Sequence, residues 1–341
     1  MSAVSGLGVY VNSETIPPYL EGLGYDPDYP QSISAYHTPF PYNNTWLDDL
    51  NSRYDQSDQI IVFSSELHAN SVEGLLTLDR EKIELHLCGV INQEFNHARV
   101  HRWMDWFQWS SGFYRRNPHV LDKLRPYNTK PLYFDILLGC RRPNRDYIFN
   151  YIVEQTLKSQ VIMTYFQRWN IDLRTTDQFI PETEGVEYIE APSGTVHQVL
   201  YYGQRMTLSQ VVPIDIYNQT AYTLVAETNG LNHFNFYTEK IVKPILARRL
   251  FVAIAGQHYL RNLRAMGFRT FDGIIDETYD SVEDSQTRWQ MAMEQVRLLC
   301  ARPQQPVLDQ ITEIVNHNYQ VMIETNWHLI DYAKVGPTAT T

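Results

Sequence analysis

Cysteine is scarce in this chain: three in 341 residues, Cys88, Cys140 and Cys300, far apart and odd in number. That argues against a disulfide framework or a multi-cysteine zinc site, and reads as buried thiols in a reducing compartment. Long apolar runs are missing too. Nothing approaches the ~20 residues that span a bilayer, so no membrane span is expected. The opening MSAVSGLGVYVNSETIPPYL has neither a basic start nor an apolar core, and no secretory signal is expected there. A soluble, cytoplasmic protein is the resulting expectation, with the sequons at Asn43 and Asn218 read as chance matches. Basic runs are absent, and the net charge is −11. Non-specific duplex binding relies on Lys and Arg displacing counterions from phosphates, so this balance disfavours it. No internal repeat and no low-complexity segment is visible.

What is present points to a folded protein of two domains. The length exceeds one ordinary core, and 43% hydrophobic with 20% charged residues is a globular composition. Aromatics reach 13%, with 23 Tyr and 7 Trp. Tyrosine in surplus suits polar clefts and protein interfaces alike, because the ring packs while the hydroxyl finds a partner.

Residues 1–56 are rich in Pro, Tyr, Asn and Asp and predict a loop-dominated opening with one short strand. Gln59-Ile60-Ile61-Val62-Phe63 is the first apolar run of the kind that forms a buried parallel strand, and 83–90 is the second. The segment 72–78 between them reads as a helix or a short connection. Residues 97–107 predict a helix carrying part of a Trp stripe (Trp103, Trp106, Trp109), read as core or interface. Arg125-Pro126-Tyr127-Asn128-Thr129-Lys130-Pro131 has linker composition. After it come strands at 132–138, 161–166, 222–226, 250–254 and 268–271. Helices are predicted at 145–158, 238–247 and 258–266, and a packing helix at 307–332. Alternation of this kind indicates βαβ units and parallel sheets. The expected architecture is α/β: two Rossmann-like domains, 1–125 and 126–300, with a C-terminal helical tail at 301–341.

Open parallel sheets bind ligands at the carboxyl ends of their strands, and two such places in the second half carry chemistry. In Leu138-Gly139-Cys140-Arg141-Arg142-Pro143-Asn144-Arg145 a glycine allows close backbone approach and three arginines follow. With the N–H groups of the next helix, that set suits a diphosphate. The plainer reading is surface charge or partners for acidic residues. The second place runs from Ala226-Glu227-Thr228-Asn229 to Tyr237-Thr238-Glu239-Lys240-Ile241. Thr238 is an N-cap candidate with Glu239 in the first turn. A carboxylate there can accept both hydroxyls of a ribose, and the adjacent Lys can neutralise a phosphate. Spacing alone favours the plainer account, a favourable first-turn charge.

The Glu-Thr-Asn segment, an aromatic loop and then Tyr-Thr-Glu-Lys-Ile resemble the donor-binding signature of α1,3-fucosyltransferases and exostosin-like enzymes of the GT-B fold. The stretch Leu263-Arg264-Ala265-Met266-Gly267-Phe268-Arg269-Thr270-Phe271 with Ile275-Asp276-Glu277-Thr278-Tyr279-Asp280 is similar to glycosyltransferase-like proteins of bacteriophages. The resemblance covers about residues 131–300 and does not reach 1–125; it implies two Rossmann-like domains of GT-B type, with 1–125 as the acceptor side, 126–300 as the nucleotide-sugar side, an interdomain cleft and a C-terminal helix. It implies that Glu239 binds the donor ribose, Lys240 and Arg145 the diphosphate, and that Tyr237 packs near the nucleotide. Asn229 would lie by the phosphates or sugar, and Arg141 is a further donor-side residue. A nucleotide sugar would be co-substrate, with no other cofactor and no metal. The acceptor hydroxyl would belong to a glycan, a protein or a modified nucleobase, and a homo-oligomer is compatible with this reading. Location would be the host cytoplasm if the source is viral. Two departures bear on donor identity: the loop from Glu227 to Thr238 is longer than in fucosyltransferases, and Asn144 stands where the phage pattern often has His.

Other signals carry plainer readings. Asp26-Pro27-Asp28 spells the Asp-x-Asp metal pair of another glycosyltransferase fold class but lies in a proline-rich loop. His97 and His101 have the i,i+4 spacing of a metal pair on a helix, without a third ligand. Asp276, Glu277 and Asp280 form an acidic turn expected to be a structural loop and helix cap. An inverting enzyme needs a base for the acceptor. In Ser64-Ser65-Glu66-Leu67-His68, directly after the first strong strand, Glu66 is the candidate and His68 the second; a cap or ion-pair role for Glu66 is the plainer account. Two rivals stand beside the enzyme reading: a catalytically silent binding or virion structural protein on the same fold, and a phage glycosyltransferase acting on modified DNA bases.

Overall fold

The computed structural model describes residues 9–10, 33–37, 45–57, 59–64, 69–139, 141–165, 184–189, 198–230 and 234–327. They divide into two compact units. The first takes residues up to Gln108 with 234–236 and 326–327; the second takes 109–230 and Tyr237–Thr325.

In the first unit one sheet has the spatial order β1 (Val9–Tyr10), β2 (Ile33–His37), β3 (Gln59–Ser64), β4 (Ile83–Cys88) and β6 (Arg99–Trp103). β2, β3, β4 and β6 run parallel, and β1 is antiparallel to β2. The connections between β2, β3 and β4 include helices α1 (Thr45–Arg53) and α2 (Ala69–Leu76). Ile60, Ile61 and Val62 are fully buried, as an apolar β-branched run in a parallel strand should be. Ile60, Val62, Leu85 and Leu87 pack with Leu50 of α1 and with Val72 and Leu75 of α2. Each such side chain contributes roughly 1.5–3 kcal/mol by leaving water. A separate antiparallel pair joins β5 (Val90–Ile91) to β13 (Phe234–Asn235), which brings Phe234 and Phe236 into the same core.

The helix expected at 97–107 is replaced by β6 followed by α3 (Asp105–Arg116). The Asp79 carboxylate accepts the backbone N–H groups of Asn96, His97 and Ala98 at 2.9, 2.7 and 3.0 Å. That holds the chain in register to pair with β4, and helix begins only after Met104. The Trp stripe is divided accordingly: Trp106 meets Phe236 edge-on, whereas Trp109 on the same helix is 53% exposed.

The second unit has a four-stranded parallel sheet. Its strands are β7 (Leu132–Leu137), β8 (Val161–Thr164), β12 (Thr220–Ala226) and β14 (Phe251–Ile254), in the order β14-β12-β7-β8. Helix α4 (Pro143–Glu154) leads from β7 to β8, and α6 (Glu239–Leu246) leads from β12 to β14. All seven residues of β12 are buried, since it has a neighbour on both edges and cover on both faces. Between β8 and β12 lies a small antiparallel sheet, β9 (Val186–Tyr188), β10 (Gln198–Tyr201) and β11 (Gln204–Thr207), followed by α5 (Ile214–Gln219). The unit ends with α7 (Tyr259–Ala265), α8 (Ser285–Cys300) and α9 (Gln304–Glu324), the last packing on α6.

Three expectations about this half change. The stretch 125–131 is no free linker. Gln304 of α9 accepts the Lys130 N–H and donates to the Lys130 carbonyl, and Asn218 accepts the Arg125 N–H, so it is tied into the second unit. The expected tail is divided: its helix α9 belongs to the second unit, while 326–327 belong to the first. No strand forms at 268–271, because Glu277 takes the Thr270 hydroxyl and the Phe271 N–H. The acidic turn is structural: the Asp280 carboxylate accepts the Leu260 and Arg261 N–H groups at the start of α7.

At the amino-terminal half of the second sheet sits a buried clamp. The Arg249 guanidinium donates to Asp135 of β7 at 2.9 Å, to the carbonyls of Tyr217, Thr220 and Tyr222, and to the hydroxyl of Thr223. No helix among the described residues is long and apolar enough to cross a membrane.

Candidate functional site

The strand order of the second sheet contains a switch point. From β7 the chain moves outward through α4 to β8; from β12 it moves the opposite way through α6 to β14. The carboxyl ends of the adjacent strands β7 and β12 therefore send their following loops apart, leaving a crevice of the kind in which open α/β sheets bind ligands. Both sequence motifs emerge there: Gly139 to Arg145 after β7, and Glu227 to Lys240 after β12.

The two loops are joined. Asn144, in the first turn of α4, donates from Nδ2 to the Glu227 carbonyl at 3.2 Å. A Cβ on Gly230 would stand 3.1 Å from the Asn144 Cβ, and one on Gly139 would stand 3.3 Å from Arg145 Nη1. A side chain at either position would press its neighbour aside by a few tenths of an ångström. Arg145 is buried, 4% exposed, beneath the first loop. Arg141 projects outward and pairs with Asp146 through Nε at 2.9 Å; the Tyr165 hydroxyl also donates to Asp146.

After β12 the chemistry concentrates. Glu227 is fully buried and accepts from four donors: the Thr228 and Thr238 N–H groups, the Thr238 hydroxyl at 2.9 Å and the Tyr259 hydroxyl at 2.9 Å. Burial pushes its carboxyl upward, and the Lys240 charge with these donors works against that. Thr238 caps α6, accepting the Lys240 N–H on its hydroxyl oxygen. The Lys240 ammonium donates to Thr228 Oγ1, Thr238 Oγ1 and Glu239 Oε1 at 3.3, 3.0 and 3.1 Å. For Glu239, burial opposes ionisation, but Lys240 and the half-buried Lys243 outweigh it and hold the carboxyl below its ordinary value. Burial in turn pulls the Lys243 amine down. The result is an alternating set of carboxylates and ammonium groups at a helix N-terminus, with Lys240 partly open to solvent.

Of the sequence candidates, Arg145, Asn229, Glu239 and Lys240 fall on these two loops and the helix starts beside them. Tyr237 lies beneath: its ring stacks on Tyr259 at 4.4 Å, its hydroxyl donates to the Tyr259 carbonyl, and it is 1% exposed. It supports the turn and has no open face for a nucleotide. Arg141 is on the rim. Glu66, His68, Asp26 and Asp28 lie outside the described residues. Sequence reasoning missed the central part of Glu227, whose signal was a carboxylate placed directly after the apolar run Leu224-Val225-Ala226. It also missed Arg288 of α8, which donates to the carbonyls of Gly230, Ala255 and Val282 and so fixes the second loop from afar. No local motif marks that residue. The His97/His101 pair does not share a helix face, because His97 precedes β6 and His101 lies on it. Among the described residues, the convergence of metal-type ligands is Glu84, His86 and His101, on the first unit's sheet. No family model matches the chain, and no curated protein matches it in sequence.

Proposed function

We propose that the second unit binds a nucleotide sugar and that the protein is a metal-independent glycosyltransferase, moving the sugar from that donor to an acceptor hydroxyl. The observation that carries this reading is the emergence of the glycine/arginine loop and the Glu239-Lys240 helix start together at the switch point between β7 and β12. Glu239, kept ionised by two lysines, is suited to accept ribose hydroxyls. Lys240, Arg145 and the positive end of the α4 dipole are suited to a diphosphate, where negative charge grows as the glycosyl bond breaks. Glu66, which follows β3 in the sequence, is the proposed acceptor base.

A thermal-shift panel of UDP-, GDP-, ADP- and CMP-sugars tests the reading. A ligand at a hundredfold excess over Kd should add about 2.7 kcal/mol of stability. Calorimetry on the donor so found should show binding weakened at least about tenfold in Lys240→Ala and in Glu239→Ala, the loss of one charge-assisted contact. Glu66→Gln should bind that donor normally and turn it over poorly. Unchanged binding in both site variants would remove the assignment. Donor binding without turnover under any acceptor would favour a silent binding protein, a reading helped by the prior engagement of Lys240 with Glu239.

A further inference from the structure

A second group of residues, in the first unit, has the chemistry of a different site. The parallel register of β4 and β6 sets Glu84 opposite Arg99 and His86 opposite His101. Side chains two apart on a strand share a face, so the patterns Glu-x-His and Arg-x-His place all four on one face. Leu85 and Val100 between them pack into the apolar cluster. The two imidazole rings stack, with centroids 4.7 Å apart and planes 16° from parallel. Both Nε2 atoms approach one oxygen, Glu84 Oε1, His101 at 2.5 Å and His86 at 3.7 Å. The other oxygen, Oε2, accepts from Arg99 Nη2 at 2.9 Å.

We propose that Glu84, His86 and His101 form a binding site for one divalent transition-metal ion of the zinc kind. All three ligand atoms lie within 4.8 Å of one another. Around a tetrahedral zinc, ligand atoms stand about 3.3 Å apart; the two Glu84–histidine separations bracket that value, and the stacked imidazoles turn about their side-chain torsions to bring both Nε2 lone pairs onto one ion. Imidazole with one carboxylate and no thiolate favours zinc, cobalt or nickel over calcium and magnesium, which take oxygen, and over copper(I), which takes sulfur. Arg99 is the outer partner that fixes the carboxylate and leaves its other oxygen for the ion. Glu84 and His86 side chains are 2% exposed while that of His101 is 20% exposed, which gives the ion a route in past His101. Three protein ligands leave a fourth position for water or a further ligand. The two proposals rest on different residues, and neither depends on the other.

The full chain, stripped with chelator and desalted, should take up one equivalent of zinc, measured by calorimetry and by elemental analysis after dialysis. Cobalt(II) in its place should give the visible d–d absorption of a low-symmetry four-coordinate site. Zinc affinity should fall at least about tenfold in His101→Gln and in His86→Gln, with folding checked by circular dichroism. Independently of any variant, zinc should protect His101 of the unaltered chain from diethylpyrocarbonate, read by peptide mass spectrometry. No stoichiometric uptake, a folded variant that binds as tightly as the parent, or undiminished labelling of His101 would each overturn the site and leave an ordinary histidine–carboxylate cluster.

Discussion

One hydroxyl links most of the polar groups at the start of α6. Thr238 Oγ1 donates to the buried Glu227 carboxylate and accepts from both the backbone and the ammonium of Lys240. Thr238→Val keeps the volume and removes all three contacts. Loss of the cap together with a buried carboxylate short of one donor should cost about 1–3 kcal/mol. Urea denaturation measures it, and Thr238→Ser should recover most of the loss; a valine variant as stable as the parent would mean that the hydroxyl does not hold the loop. At this scale the sequence was readable where function and local structure coincide. Thr238 as a cap with Glu239 in the first turn follows from residue type and spacing. Tyr237 was read as near the ligand from the same string of letters, yet its burial depends on Tyr259, 22 residues away, which no local pattern reveals.

Among the elements, the runs that became β3, β4, β7, β12 and β14 were legible because a strand covered on both faces is mostly apolar, even though β4 carries Glu84 and His86 and β7 carries Asp135. β6 was not legible. Its alternation of Arg99, His101 and Trp103 with Val100 and Arg102 is weak, and what makes it a strand is pairing with β4 and the hold of Asp79 on the preceding turn. The Asp79 carboxyl lies below its usual value because the N–H groups of Asn96, His97 and Ala98 donate to it. Its folded pKa is thus lower than the unfolded one, so the stabilisation is fully present above about pH 3.8 and is lost as pH falls through the folded value. Asp79→Asn should therefore lower stability at neutral pH and flatten the steep acid limb below that point. Denaturant midpoints collected across the acid range check this; parallel curves for the two proteins would show that the turn is held by other means.

For the molecule as a whole, the division of labour across the second sheet is plain. The carboxyl ends of β7 and β12 carry the candidate ligand groups, and the opposite half carries the Arg249 clamp. Removing one partner of a buried ion pair leaves the other charge stranded, at a cost of about 3–5 kcal/mol. Arg249→Leu should lose that much in chemical denaturation, Asp135→Leu/Arg249→Leu should regain part of it, and the folded fraction should bind donor with the parent's Kd. A weakened Kd there would place the clamp in the binding machinery. Two bodies were expected from length alone, but their limits were not readable. Composition marked 125–131 as a linker because it is polar and proline-rich, and only the distant side chains of Gln304 and Asn218 tie it down.

Those limits have a consequence for how the chain is made. Residues 234–236 and 326–327 complete the first unit, the former by pairing with Val90–Ile91 and the latter through Trp327, whose carbonyl accepts the Met104 N–H and whose ring meets Phe107 edge-on. A ribosome delivers the sheet of that unit first, yet its closing pieces emerge more than a hundred residues later, the last of them only after α9. The part translated earliest is among the last to be finished, and its apolar face has to wait in the meantime for the rest of the protein to arrive.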